Sequence, residues 1–302
     1  MPASNLPDSY ASLSIPDILL AHHPPSSPSV TPVITVSLHR PSARNGFTDR
    51  MATSLITAFN LLSSDPRVKA VVLASADPEN KMFCAGMDLN ATHGLVDKAA
   101  DYRDAGGRVA LAIYSCSKPV VAAINGSAVG IGITMTLPAN IRVASSSAKI
   151  GFVFARRGAT MEACSSFFLP RLIGMSRALH LTSTGAVYPA TDRLLGDLFS
   201  EVVASDQVLP TALRIADEIA GNVSIMSSRL MKDMTYRCPA TPEEAHLLES
   251  RLFHGLAKAE DSQEGRVSFL EKRQPDFKMT MDDAPESYPW WTPIDLRVKS
   301  KI

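Results

Sequence analysis

Phe83-Cys84-Ala85-Gly86-Met87-Asp88-Leu89 and Asn125-Gly126-Ser127-Ala128-Val129-Gly130-Ile131-Gly132 are the two stretches on which the reading of this chain turns. Each comes after a short continuous apolar run, 68–74 and 119–124, as expected for a strand covered on both faces. Each is expected to open a helix. A helix start leaves backbone N–H groups without intrahelical partners, and its dipole favours negative charge there. Two such turns facing one another can hold an oxygen that becomes anionic during a reaction. Taken singly, either stretch is better explained by glycines serving a tight turn. The second also lacks the strand–GxGxxG–helix arrangement of a dinucleotide site.

Working outward, 18–20 and 33–38 read as strands, with HHPPSSPSVTP between them as a loose hairpin turn. Residues 49–63 carry helical apolar spacing (Met51, Leu55, Phe59, Leu62), with Thr48 as the N-cap. A helix over 102–116, a second over 130–139 and a strand at 141–144 continue the alternation, which indicates a layered α/β core. From about residue 160 helices dominate, at 162–172, 175–183, 189–195, 207–221, 223–236 and 242–259. Residues 1–14 are polar and proline-punctuated, and are expected to be disordered. The tail from Lys278, rich in Pro, Asp and aromatic residues, is expected to wrap a surface or a neighbour.

Bulk composition narrows the function classes. The 302 residues include 30 basic and 30 acidic ones, so no broad charge footprint favours nucleic acid or an anionic membrane. No run approaches the roughly 20 apolar residues that span a bilayer. Cys84, Cys116, Cys164 and Cys238 show no metal-ligand spacing and read as buried thiols of a reducing compartment. No metal or separate cofactor is expected. The first 20 residues hold Asp8 and Asp17 and no basic residue, unlike a mitochondrial presequence. The chain ends Ser300-Lys301-Ile302, one residue type from the Ser-Lys-Leu peroxisomal address, so peroxisomal residence and an import receptor are expected.

In combination, FCAGMDL and SKPVVAAINGSAVGIG resemble the crotonase superfamily of enoyl-CoA hydratases and isomerases. RPSARNGFTDRM is similar to its N-terminal segment, FLPRLIGMSRALHLTSTGAVYPATDRLLGDLFSEVV to its helical middle, and SFLEKRQPDF to its final helix. The resemblance implies a spiral of ββα repeats over 15–205, a helical region at 206–277 that covers coenzyme A and mediates trimers or hexamers, and an extended tail at 278–302. It implies an acyl-CoA substrate, coenzyme A arriving as part of the thioester, whose carbonyl oxygen would accept hydrogen bonds from the Met87 and Ile131 N–H groups. Ala85, Gly86, Asp88, Leu89 and Gly130 would line the substrate, and Arg44, Asn45, Phe269 and Lys272 would meet the coenzyme A.

One departure from the pattern bears on the reaction. The two glutamates that serve hydratases fall at Thr134 and Phe154, neither of which transfers protons at neutral pH. Glu162, in RGATMEACSS, stands where the single glutamate of the peroxisomal Δ3,Δ2-enoyl-CoA isomerase branch would be. One carboxylate that reaches both C2 and C4 can shift a double bond. The same residue could be an ordinary carboxylate at a helix start. Arg156 and Arg157 read as a surface ion pair or phosphate contacts, and Asp88 as the cap of the helix it begins. Three functions therefore compete: an enoyl-CoA isomerase, a hydratase in fatty-acid or secondary-metabolite acyl-chain metabolism, and a non-catalytic acyl-CoA or RNA-binding relative.

Overall fold

The computed structural model describes residues 6–91 and 98–297. Its strands are β1 (Ile18–His23), β2 (Val33–Leu38), β3 (Ala70–Ser75), β4 (Met82–Cys84), β5 (Val120–Ile124), β6 (Ser127–Val129), β7 (Ile141–Ser145), β8 (Lys149–Gly151), β9 (Val187–Pro189) and β10 (Glu201–Val203). Its helices are α1 (Asp49–Ser64), α2 (Ala105–Ser115), α3 (Ile131–Thr134), α4 (Ser165–Ile173), α5 (Met175–Thr184), α6 (Val208–Asn222), α7 (Ile225–Tyr236), α8 (Pro242–Leu256) and α9 (Glu260–Glu271).

The strands divide between a six-stranded sheet, β1-β2-β3-β5-β7-β10, and a four-stranded sheet, β4-β6-β8-β9. The chain alternates between them. β3, β5 and β7 lie side by side in the large sheet, and each is followed by a strand of the small one before the next helix begins. Stacked ββα turns of this kind form a spiral. β1 and β2 make the antiparallel hairpin, Ile18 opposite Leu38 and His23 opposite Val33.

Both faces of the large sheet are covered, which explains its unbroken apolar strands. Side chains alternate along β3: Val71 and Leu73 pack into the main core, while Ala70, Val72 and Ala74 pack against Val208, Ala212 and Ala216 of α6. α1 enters the main core through Met51, Leu55, Phe59 and Leu62, and the Thr48 hydroxyl accepts the Met51 N–H at 3.1 Å.

Several expectations need correction. Residues 6–14 are not a loose leader: Tyr10 is fully buried and its hydroxyl donates to Asp65 Oδ2 at 3.0 Å. The expected helix at 189–195 is instead the end of β9 and a single 3-10 turn at Arg193–Leu195. The helical stretch from 130 is short, α3 giving way to irregular turns after Thr134. The helix anticipated over 242–259 ends at Leu256, and α9 begins at Glu260. Cys84 and Cys116 are buried, whereas Cys164 is partly exposed and Cys238 exposed; all four are free thiols. Ser300-Lys301-Ile302 lies outside the described residues.

Tyr10 carries a buried polar contact that ties the N-terminal segment to the end of α1. Tyr10→Phe leaves the Asp65 carboxylate short of one donor and should lower unfolding stability by about 1–2 kcal/mol. Urea titration of the two proteins measures that difference.

Candidate active site

β4 and β6 pair in parallel, Met82 with Ser127 and Cys84 with Ala128, so the turns leaving them emerge together. Their approach is backbone against backbone. A Cβ on Gly132 would lie 2.3 Å from the Cys84 carbonyl oxygen, and one on Gly86 (φ 97°) would lie 3.0 Å from the Val129 carbonyl oxygen. No side chain fits at Gly132. The first turn is also sewn to the segment before α1: Ala85 N–H donates to Arg44 O at 3.1 Å, Phe47 N–H to Gly86 O at 2.8 Å, and Asp88 N–H to Phe47 O at 2.9 Å. The N–H groups of Met87 and Ile131 donate to no backbone acceptor among the described residues. Two unengaged donors thus sit on adjacent turns.

Glu162 faces this place from a different element. Its Oε1 accepts the Thr134 hydroxyl at 2.5 Å. Its Oε2 occupies the space a side chain at Gly106 would need, 2.0 Å from a Cβ there, and the Ile131 side chain bounds the same spot. Gly106 belongs to the first turn of α2, whose N-cap is Asp104. Glu162 is held by a tight turn in which Ala163 (φ 53°) and Cys164 (φ 55°) both adopt left-handed backbone. The Ser165 N–H and hydroxyl both bond the Glu162 carbonyl, at 2.9 and 2.6 Å, and Ala163 N–H reaches Asp104 Oδ1 at 3.4 Å. Two consecutive non-glycine residues in that region cost about 1–3 kcal/mol each. Such strain is maintained where the surroundings over-determine it. α4 starts only at Ser165, so Glu162 precedes the helix and is not its first-turn carboxylate.

Burial pushes the Glu162 carboxyl up to about 7. The Thr134 hydrogen bond pulls the other way, and the nearby negative charge of Asp104 adds to the rise. The carboxyl is therefore poised between its two forms at neutral pH. Burial also pushes the Cys84 thiol up to about 12, which leaves it an inert neighbour of the site.

The model of the enoyl-CoA hydratase/isomerase family matches residues 30–280. The chain belongs to this family. It is 48% identical over 256 residues to enoyl-CoA hydratase AFT3-1 of Alternaria alternata, covering 84% of this chain and 86% of that one. It is 30% identical to 2,3-dehydroadipyl-CoA hydratase of Escherichia coli, covering 82% and 95%. The solved structure of a probable enoyl-CoA hydratase/isomerase from Mycobacterium abscessus superposes with a TM-score of 0.72 at 31% identity, covering 82% of this chain and 94% of that one. Enoyl-CoA hydratase from Bacillus anthracis superposes at 0.76 and 27% identity, covering 87% and 99%. The chain is an enzyme of the hydratase/isomerase class with the crotonase fold.

Within that family frame, the structure separates the expected site residues. Ala85, Gly86, Met87, Gly130 and Ile131 are brought together with Glu162 through the two paired turns and Gly106. Leu89 is 80% exposed just beyond them. Asp88 does not cap a helix: it accepts from Arg40 Nη2 at 3.0 Å and from the Asn90 N–H at 3.1 Å, holding the turn in place. The Asn45 side chain is buried and fully engaged, accepting from Arg40 N and donating to Ser75 Oγ and the Phe83 carbonyl, so it is structural. Arg44, beside it, is exposed. Phe269 and Lys272 lie at the exposed end of α9, Phe269 82% exposed, and among the described residues no contact brings them to Glu162. Arg156 donates to the Thr184 carbonyl instead of forming an ion pair.

Sequence reading passed over Thr134 as a partner, along with Gly106 and Asp104. The D-x-x-G run at 104–107 was the available signal, an N-cap bonded to the third residue beyond it.

Two outcomes follow from the Glu162 environment. Thr134→Val removes a bond that favours the carboxylate and should move the ascending limb of the rate–pH profile upward from about 7, by up to roughly one unit. A raised carboxyl also makes the folded state lose stability as pH climbs from about 4.5 to about 7, because the unfolded chain releases that proton first. A shift of this size corresponds to about 3 kcal/mol. Glu162→Gln should therefore match the wild type in urea denaturation below about pH 4.5 and exceed it above about pH 7.

Proposed function

We propose that Glu162 is the single acid/base of an enoyl-CoA isomerase, with the thioester carbonyl oxygen held by the N–H groups of Met87 and Ile131. Glu162 as the carboxylate takes a proton from C2 of a 3-enoyl-CoA. The electron pair moves into an enolate-like thioester whose oxygen the two N–H groups stabilise. The same carboxyl returns its proton at C4, the double bond now lies between C2 and C3, and the enzyme is back in its starting form. The observation that carries this reading is the environment of Glu162: a carboxyl raised to about 7, bonded to a neutral hydroxyl, with no second free carboxylate beside it among the described residues. Asp104, the neighbouring acid, is committed to capping α2 through the Gly107 N–H at 2.5 Å.

Hydration is the second reading, favoured by the names of the relatives from Alternaria alternata and Escherichia coli. It would need Glu162 to activate water while another group delivers the proton to C2. Thr134 and Phe154 stand where that pair of carboxylates would be, and the Phe154 ring lies 4.0 Å from a Cβ placed on Gly130. The non-catalytic alternative loses its support in a membership that makes the chain an enzyme. Peroxisomal residence, a place in fatty-acid β-oxidation and assembly into trimers or hexamers belong to the same proposal. The first rests on Ser300-Lys301-Ile302. The last is supported by the apolar side chains that α8 and α9 leave uncovered, Leu247, Phe253, Phe269 and Leu270.

Purified protein should convert trans-3-enoyl-CoA to the 2-enoyl isomer without forming 3-hydroxyacyl-CoA, as followed by product-resolved chromatography. Glu162→Gln should lower kcat by about 10²–10⁴-fold and leave binding of a saturated acyl-CoA in place. Rapid hydration of trans-2-enoyl-CoA would transfer the assignment to the hydratase reading. Exclusion of a fluorescent fusion carrying the native tail from peroxisomes would remove the location.

A further inference from the structure

The segment after α9 runs as a strap across the molecule, and its anchors are specific. Tyr288, Trp290 and Trp291 pack edge to face, with centroids 4.8–5.9 Å apart. The Tyr288 hydroxyl donates to the buried Asp233 at 2.8 Å, and the Arg237 guanidinium lies 4.1 Å over the Trp291 ring. Beyond these anchors the strap reaches the segment just before α2, where Arg103 Nε donates to the Leu296 carbonyl at 2.9 Å. The family match ends at residue 280, so this strap lies outside the part shared with the family model.

Where the strap meets α2 it borders a partly open cavity of about 450 Å³. That volume falls within the roughly 300–1,000 Å³ of small-molecule sites. Gly107, Leu111 and Cys164 line it from the body of the enzyme, and Leu296 and Arg297 line it from the strap. Glu162 does not itself line the cavity, but Asp104 does, and Asp104 Oδ1 accepts the N–H of Ala163, the residue after Glu162, at 3.4 Å. Most charged groups around it already have partners. Arg297 bonds both oxygens of Asp295 at 2.9 Å, Arg103 binds carbonyl oxygens of the chain, and Asp104 caps α2. Arg108 is exposed to solvent. Besides Gly107, Leu111, Cys164 and Leu296, the lining includes the charged residues Asp101, Arg103, Asp104, Arg108 and Arg297, yet most of the surface it offers a ligand is apolar.

We infer that the C-terminal strap forms the far wall of the acyl-chain pocket, with Leu296 setting how long a chain the enzyme accepts. The substrates are then acyl-CoA thioesters whose hydrocarbon chain continues well past the reacting carbons. This rests on the reading of Glu162 as the group that meets C2.

The test uses the full-length protein. Leu296→Trp fills the cavity from the strap side, and Leu111→Trp fills it from the body side. Binding of short-chain and long-chain saturated acyl-CoA is measured by calorimetry, and turnover by kcat/KM on the matching enoyl-CoA pair. Both variants should weaken the long-chain ligand about tenfold more than the short-chain one, in Kd and in kcat/KM. Leu296 is half exposed on the strap, so the larger ring there does not disturb the core. The inference is overturned if Leu296→Trp affects both lengths equally, or if Leu111→Trp discriminates by length and Leu296→Trp does not. If the wild type turns over no enoyl-CoA but Leu296→Trp still discriminates in binding, the proposed reaction falls and the role of the strap stands.

Discussion

The site depends on two turns of backbone lying closer than side chains would permit. Gly132 is pressed against the Cys84 carbonyl, and Gly86 against the Val129 carbonyl. Pairing of β4 with β6 sets this proximity, and β4 and β6 in turn are placed by β3 and β5 of the large sheet. The layered core therefore fixes two peptide N–H groups, on separate turns, that bond no backbone acceptor among the described residues. Because backbone supplies the donors, Met87 and Ile131 can carry whatever side chains packing requires. Ile131 uses its side chain as part of the wall beside Glu162, while its N–H remains unengaged.

Glu162 follows a different logic, in which strain and desolvation are accepted to hold a carboxyl at its place. Left-handed backbone at Ala163 and Cys164 and burial of the carboxyl are both unfavourable. Against them stand the Ser165 bonds to the Glu162 carbonyl, the Ala163 contact with Asp104 and the Thr134 hydroxyl on the carboxylate. Gly106 allows the approach from α2 because any side chain there would fill the space of Oε2. Three elements thus converge on one carboxyl, which is how a single residue on a turn is kept in a defined position.

What could be read from the sequence follows from the length and period of each signal. The long apolar strands and α1 were legible because both faces or one stripe are buried over five or more residues, and the Thr48 cap marked a boundary. The small sheet was not, since β4, β6, β8 and β9 are three residues each and too short to establish a period. Missing β4 led to the expectation of a helix straight after FCAGMDL, whereas residues 85–91 form turns held by Phe47 and Arg40. Tyr10 was hidden for another reason: it is buried in the main core and bonded to Asp65, 55 residues away, and polar sequence neighbours mask one anchored aromatic. The glutamate was legible by resemblance alone. Its raised carboxyl depends on Gly106, Thr134 and Asp104, which only the folded chain brings together.

Thr134 shows why the proposed single-carboxylate site is coherent and not merely a two-carboxylate site that has lost a member. A carboxylate at that position, on a backbone that brings its hydroxyl within 2.5 Å of Glu162, would confront Glu162 with a like charge in a buried place. Two carboxyls so close share one proton and titrate as a pair. The neutral hydroxyl instead donates to Glu162, favours its ionised form and offsets part of the burial cost. Phe154, toward Gly130, keeps the other flank apolar. Burial raises the carboxyl and the hydroxyl restrains the rise, so both protonation states coexist near neutral pH. The proposed isomerisation, in which one carboxyl accepts a proton and then returns it, needs that balance.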